Sequence, residues 1–377
     1  MTSDLCNLRK NNGNKLSVMV VGDYAWPWYQ EACALALESN GCDVYRFSWF
    51  DDFKHWQKGS SEPTYKSFFH RLGYRFQFGP HVNSVSRRLI KQSKEIQPDI
   101  VWFYNVHLLG RFTLKKLRKV IPNSTFVQYS NDDPFSPQGT TFLWRKFIAS
   151  IPLFDKHFVY RHKNLRDFKS HGIDNSSLLR AYFIPEEDYH VPQHEVPDAF
   201  KCDVVFAGHY EDDGRIDMLE SICNEGFKLN LYGGGWDNAL HKLHENSPLR
   251  KLFPIKPVTG DDYRHAICGA KVALCFLSTI NHDTYTRRSF QIPAMKTAML
   301  SVFTQDLSEL YEEDKEVMFF RDKEQLLKNL NKMISNEDLR NSLSEAAHKR
   351  VYKDGHDIVS RMKYFIEQVK LDMKEKI

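Results

Sequence analysis

The 377 residues include 52 Lys and Arg against 48 Asp and Glu, a formal net charge of +4, with 42% hydrophobic and 14% aromatic side chains. That apolar content excludes a disordered chain, and the length exceeds a single hydrophobic core, so two domains of roughly 150–200 residues are expected. The opening MTSDLCNLRKNNGNK has no apolar segment of signal-peptide type, and no stretch approaches the ~20 apolar residues of a membrane span, which points to a soluble cytoplasmic protein.

Short apolar runs alternate with helix-length amphipathic segments, the pattern of an α/β protein with parallel sheets. In the first half Leu16–Val21, Val44–Phe47, Ile100–Tyr104, Thr125–Tyr129 and His157–Tyr160 read as strands, with helical patterns at Trp28–Glu38 and Ser84–Glu95. Gly22, Asp23, His107, Asp132 and Asp133 fall just after these strands, where open α/β sheets hold their ligands, and are candidates for one wall of a site. Each has a plainer alternative: Asp133-Pro134 suits a turn, and a lone His107 suits a hydrogen-bonded structural role. The run AWPWY, Ala25–Tyr29, fits either stacking on a sugar or core packing.

Residues 1–175 hold 25 Lys and Arg against 15 Asp and Glu, and the remainder 27 against 33. Much of the positive excess lies in RLGYRF, SRRLIKQSK and LKKLRKV, between Arg71 and Val120. Solvated helix faces account for any one of these; together they suit an anionic acceptor or peripheral contact with an anionic membrane. Nucleic acid is not expected, since its recognised binding motifs are missing.

The boundary between domains is placed in FIPEEDYHVPQHEVPDAF, Phe183–Phe200, where prolines and acids interrupt both periodicities. Domains over 1–185 and 198–355 follow, with a terminal helix at 356–377 that could return to the first domain. In the second half Cys202–Ala207, Lys228–Tyr232, Val272–Phe276 and Met299–Phe303 read as strands, and Arg215–Asn224, Asp261–Cys268 and Ser289–Lys296 as helices. Glu337–Lys370 reads as two helices broken at KDGHD.

Three loops of the second domain leave strand ends. AGHYEDDGR, with Gly208 and His209, suits a phosphate at the start of the next helix, or a connection in which Asp212 and Asp213 merely cap it. YGGGWD, with Gly234, suits close backbone approach, though turn chemistry alone would explain it. STINHDTYTRR carries Asp283, Arg287 and Arg288 and leads to Gln291, and Pro293 implies a helix beginning near Ser289. An arginine fork there suits a diphosphate, and Asp283 and Gln291 suit sugar hydroxyls; an Arg–Asp ion pair bracing the loop is the alternative. The cysteines at 6, 33, 42, 202, 223, 268 and 275 form no C-x-x-C pair, so disulfides and a dedicated metal site are not expected.

The runs DVVFAGHYEDDGRIDMLESI, LYGGGWD, AKVALCFLSTINHDTYTRRSFQIPAMKTAML and SELYEEDKEVMFFRDKEQLLKNL, in that order, resemble the CgeB-like (spore-maturation-protein-like) glycosyltransferases. These have the GT-B fold and are similar to family-4 enzymes. The resemblance covers about residues 200–365; in the first half only VVGDY and YSNDDP support it. It implies two Rossmann-like, doubly wound domains facing across a cleft, a nucleoside-diphosphate-sugar donor on the second, and a glycan, lipid-linked or protein acceptor on the first. It further implies retention of configuration and no cofactor or obligatory metal. Positive groups would stabilise the departing diphosphate, Arg215 and Arg288 foremost, then His209 and Arg287. Should the enzyme invert, Asp132 or Asp133 becomes the base to test.

Family-4 enzymes carry two glutamates separated by seven residues, the first at the donor sugar and the second at the ribose. Asp283 and Gln291 stand at that spacing, and where relatives read R-S-F-E-I-P this chain has RRSFQIP. On that reading Gln291→Glu should raise turnover. The amide leaves open a catalytically idle homologue that binds nucleotide sugar or glycan as a partner protein, and an epimerase is a third reading of the same fold.

Overall fold

The computed structural model describes residues 15–51, 73, 75–136 and 141–374, so Cys6, the opening stretch and Arg71 of the basic segments lie outside the described residues. The chain forms two compact units, 1–180 with 359–377, and 181–358.

The first unit is built on β1 (Ser17–Gly22), β2 (Asp43–Ser48), β3 (Ile100–Tyr104), β4 (Thr125–Ser130), β5 (Lys156–Val159) and β6 (Ser176–Leu178), all parallel, in the order β2-β1-β3-β4-β5-β6. The central strands are buried along their whole length, as IVWFY at β3 shows, because helices cover both faces of a parallel sheet. Edge strand β2 alternates exposed and covered residues instead. A π-helical turn at Pro27–Glu31 feeds α1 (Ala32–Ser39); α2 (Pro80–Ile96), α3 (Arg111–Val120), α4 (Thr141–Ser150) and α5 (His162–Ser170) complete the crossovers.

The two-residue period of β3 sorts its side chains between two layers. Val101 and Phe103 join the core that includes Leu89, Leu114 and Phe147 of α2, α3 and α4. Trp102 faces the other way, 4.4 Å between ring centroids from Phe365. Phe365 lies on the last helix of the chain, Ile358–Lys374, which is tied further by Asp372 to Lys156 at 3.0 Å and by the Val359 carbonyl to the Asn40 amide at 3.0 Å.

The chain leaves the first unit at Arg180, ahead of the proline-rich segment expected to be the boundary. That segment is instead part of the second unit, held by bonds from Arg264 to the Glu187 carbonyl (2.8 Å) and from the Val191 N–H to Cys268 Sγ (3.4 Å). The second sheet comprises β7 (Cys202–Ala207), β8 (Leu229–Tyr232), β9 (Ala270–Cys275), β10 (Ala298–Val302) and β11 (Met318–Phe320), parallel, in the order β11-β10-β9-β7-β8. Its helices are α6 (Arg215–Asn224), α7 (Gly260–Cys268), α8 (Arg288–Ala294), α9 (Gln305–Leu310), α10 (Lys323–Ser335) and α11 (Glu337–Lys353); the returning helix is α12 (Ile358–Lys374). No helix among the described residues is long and apolar enough to cross a membrane.

Candidate functional site

Strand order reverses between β7 and β9, so the loops leaving these two strands part from each other and open a crevice at their carboxyl ends. The loop after β8 closes one side by close backbone approach. A Cβ on Gly233 would lie 1.9 Å from the Gly208 carbonyl oxygen, and Gly233 itself has φ of +146°. Only glycine satisfies both conditions. Gly208 is equally constrained, since a Cβ there would meet Phe206 at 2.6 Å and the Arg288 guanidinium carbon at 3.4 Å. Trp236 Nε1–H donates to the Gly208 carbonyl at 3.0 Å, and the Tyr210 N–H donates to the Gly234 carbonyl at 3.0 Å, so the two glycine loops are stitched together. His209 packs its ring against Gly234, where a Cβ would stand 3.1 Å from Cδ2.

The two foremost arginines occupy different situations. Arg215, first residue of α6, is 3% exposed. It binds Asp213 bidentately (2.7 and 2.6 Å), donates to the Leu277 carbonyl at 3.3 Å and also to the His209 carbonyl. Its charge is matched and its donors are committed to bracing the loop. Glu211 adds a second brace, accepting the Thr279 N–H at 3.0 Å.

Arg288 donates one bond to a neutral acceptor, the Phe276 carbonyl at 3.2 Å, while its Nε is buried with no hydrogen-bond partner among the described residues. It forms no ion pair among the described residues. This guanidinium lies over Gly208, where a Cβ would stand 3.4 Å from its carbon, at the switch point.

Helix α8 sets the remaining polar groups. Pro293 lies inside it and cannot donate to the Ser289 carbonyl one turn back. The buried Tyr311 hydroxyl donates there instead, at 2.8 Å. One turn of this helix presents Arg287 and Gln291 to the same carboxylate: Asp188 accepts from Gln291 Nε2 at 2.8 Å and from Arg287 Nη2 at 3.4 Å, and takes the Ile184 N–H at 2.8 Å. On its other end the Gln291 amide oxygen accepts from the Tyr263 hydroxyl at 3.2 Å. Burial pushes the Tyr263 phenol well up, so it stays protonated and donates. Gln291 is thus buried and bonded at both ends of its amide, and Arg287 is paired. Asp283 lies in the loop before α8, its N–H on the Ser278 carbonyl at 2.9 Å.

Asp188 and Tyr263 were missed by sequence reasoning. Asp188 is 103 residues from Gln291, so no local spacing connects them.

In the first unit Asp23 and Asp132 are brought close enough to repel. Burial, then the neighbouring Asp132, raises the Asp23 carboxyl against a bond from the Ala25 N–H that lowers it. A Cβ on Gly22 would strike Gln30 at 2.4 Å. Asp132 accepts from Asn105 Nδ2 at 3.1 Å. His107 sits between the rings of Trp49 and Trp144 (centroids 5.7 and 5.6 Å away), and burial lowers its pKa to about 4, so it is neutral at physiological pH.

Asp133 is buried against Lys163 (3.0 Å), Asn164 Nδ2 (2.8 Å) and the Phe135 N–H (3.0 Å). Burial alone would raise this carboxyl, but the bond from Lys163 leads a set of contacts that holds it below the ordinary value. Its stabilising effect is therefore present above the unfolded carboxyl value of ~3.9 and lost as pH falls through the lower folded value. Asp133→Ala will cost about 1–2 kcal/mol, because the Phe135 N–H loses its acceptor while Lys163 and Asn164 keep Asp167, at 2.9 and 3.1 Å. Asp133→Asn will flatten the acid limb of stability against pH, measured by denaturant melts.

Residues 215–367 match the family model described as Glycosyl transferase-like. No curated protein matches the chain. Similar solved structures include Anabaena HepE in complex with UDP-glucose, at 11% identity and a TM-score of 0.65 over 94% of this chain and 99% of that one. Sucrose-phosphate synthase of Thermosynechococcus elongatus gives 11% and 0.66 over 95% and 100%. A glycosyltransferase of Rickettsia africae ESF-5 gives 13% and 0.63 over 96% and 99%. At such identities the likeness is one of fold, and the fold is GT-B.

Proposed function

We propose that this GT-B chain is a glycosyltransferase whose second unit binds a nucleoside-diphosphate sugar at the switch point between β7 and β9. The guanidinium of Arg288 beside Gly208, without an ion-pair partner among the described residues, carries the reading. Transfer builds negative charge on the leaving diphosphate, and a fixed cation in a partly desolvated crevice stabilises that charge without reorganising. Arg215 acts one step back, holding the loop through Asp213 and the carbonyls of His209 and Leu277. Asp283 is assigned to the donor sugar, on the family resemblance. Retention of configuration, independence of metal and the CgeB-like subfamily rest on the same resemblance. The acceptor, a glycan, lipid-linked sugar or protein, is assigned to the first unit's own strand ends near Asp23 and Asp132, and the location to the cytoplasm.

Uridine nucleotides are the first probes, because HepE was solved with UDP-glucose. Thermal unfolding against UDP, GDP, dTDP, ADP and CMP and their sugar conjugates will show selective stabilisation by one base. At 100 times its dissociation constant a ligand adds ~2.7 kcal/mol, a shift of a few degrees in a protein of this size. Release of free nucleotide from the matching sugar conjugate then reports chemistry. No shift across the panel at saturating concentrations would sink the donor site.

One observation favours a second reading, a nucleotide-sugar-binding homologue without turnover: both ends of the Gln291 amide are occupied by Asp188 and Tyr263 rather than offered to a ribose. A selective thermal shift with no release of nucleotide would mark that state.

A further inference from the structure

The layer formed by α2, α3 and α4 in the first unit carries eleven Lys and Arg and a single acid, Glu95. Helix α3 buries Thr113, Leu114 and Leu117 and exposes Arg111, Phe112, Lys115, Lys116 and Lys119. Ser86 of α2 and Thr113 of α3 share a hydrogen bond at 3.0 Å, so these helices present one continuous surface.

Four phenylalanines stand out of this basic surface. Phe112 is 72% exposed, Phe78 60%, Phe142 46% and Phe76 38%. Phe76 and Phe78 flank Gln77, which is fully buried, donates to the Leu143 carbonyl and accepts from Lys146. The segment is therefore anchored by its polar residue and turns its aromatic residues to solvent, the reverse of ordinary burial. The rings of Phe78, Phe76 and Phe142 form a row with centroids 6.1 and 5.7 Å apart. Phe78 and Phe112 line the same groove of about 500 Å3.

We propose that this face docks the protein on an anionic lipid bilayer, the phenylalanines entering the interface and the lysines meeting the headgroups. Exposed aromatic side chains set among cations on an amphipathic helix fit that occupant. Single-stranded nucleic acid also wants aromatic groups among cations, but as open stacking platforms. Here Lys116 Nζ lies 4.3 Å over the Phe112 ring and Arg145 Cζ 3.7 Å over the Phe142 ring, which covers a face of each. Entry into a bilayer leaves those cations in place.

The test is co-sedimentation of the full chain with vesicles of phosphatidylglycerol and phosphatidylcholine in equal parts, and with phosphatidylcholine alone. It contains no nucleotide sugar, so its outcome is separate from that of the donor site. Binding to the mixed vesicles, absent with phosphatidylcholine alone and reversed by high salt, is expected. Lys115→Glu with Lys116→Glu will weaken it by about 30-fold or more, since each basic residue near an anionic surface contributes roughly a fivefold factor. Phe78→Ser with Phe112→Ser will weaken it by about tenfold or more while leaving the charge intact. Lys332→Glu with Lys349→Glu, exposed on the second unit, will not change it. All substituted side chains are exposed or half-exposed, and melting temperature confirms the fold of each variant. The proposal is overturned by absence of binding to the mixed vesicles, or by binding indifferent to both first-unit pairs. Displacement by inorganic phosphate, or tight binding to DNA that ignores the phenylalanine pair, overturns it equally.

Discussion

Arg288→Ala will abolish stabilisation by the cognate nucleoside diphosphate and lower turnover by about 10²–10³-fold, the usual effect of removing one preorganised donor from a developing anion. The same substitution will leave the melting temperature of the free protein unchanged or slightly higher. Arg288 makes one bond to a backbone carbonyl, and its buried Nε has no partner among the described residues, so folding gains little from it. A guanidinium desolvated without a counter-ion is a cost to the fold, accepted at sites that need charge. Arg215→Ala makes the contrast. It removes a bidentate pair with Asp213 and bonds to two carbonyls, so it will lower stability by about 3 kcal/mol. Arg288→Lys keeps charge without the fork and should recover only part of the binding. If Arg288→Ala melts several degrees lower and still binds diphosphate, the arginine is structural and the donor site must be sought elsewhere.

The parts of this architecture that were legible in the sequence are those specified by local pattern. Strand Ile100–Tyr104 is buried on both faces and reads as an unbroken apolar run, Cys202–Ala207 does so from Val204 onward, and both stand at the expected residues. The break at KDGHD separates two helices as its glycine suggested, α11 ending at Lys353 and α12 starting at Ile358. Short β11 and β6 escaped notice, because three residues carry too little periodicity to register. The candidate site's loops were legible as strand ends, whereas the bonds between them were not. That Gly233 is packed against the Gly208 carbonyl depends on a loop arriving from another strand, which no local spacing announces. Arg215 and Arg288 look alike as residues after strand-end loops, and only the partners of each among the described residues tell a braced guanidinium from one without an ion pair. The basic helices were visible by composition, whereas the outward turn of Phe76 and Phe78 follows from the anchoring of Gln77 on α4.

The amide at position 291 is where family spacing and local bonding lead to opposite expectations. By resemblance Gln291→Glu restores a carboxylate and raises turnover. In this chain Gln291 Nε2 donates to Asp188 at 2.8 Å, within a carboxylate that already takes the Ile184 N–H and Arg287. A glutamate there sets two buried carboxylates in contact, and one must keep a proton. The pair's folded pKa then rises above the unfolded value of ~4.3. By linkage the variant resembles the natural protein below that value and loses stability as pH climbs through the raised one. Gln291→Glu will therefore be close to wild type near pH 4 and weaker by about 2–4 kcal/mol at pH 8, with nucleotide binding lost in parallel. Asp188→Asn alone leaves two amides facing each other and a less satisfied Arg287. Combining Asp188→Asn with Gln291→Glu rebuilds one acid and one amide with their places exchanged, the amide now at position 188 donating to the carboxylate now at position 291 while Tyr263 keeps its acceptor. The double variant will recover most of the stability at pH 8, a coupling of about 2 kcal/mol or more in the mutant cycle. It also moves the negative charge onto α8, where relatives of the resembled family carry it. Turnover of the double variant above that of the natural chain would mean that the Asp188–Gln291 exchange, rather than the amide alone, tunes the donor site. Additive losses at pH 8 would show that the two side chains do not act as a pair.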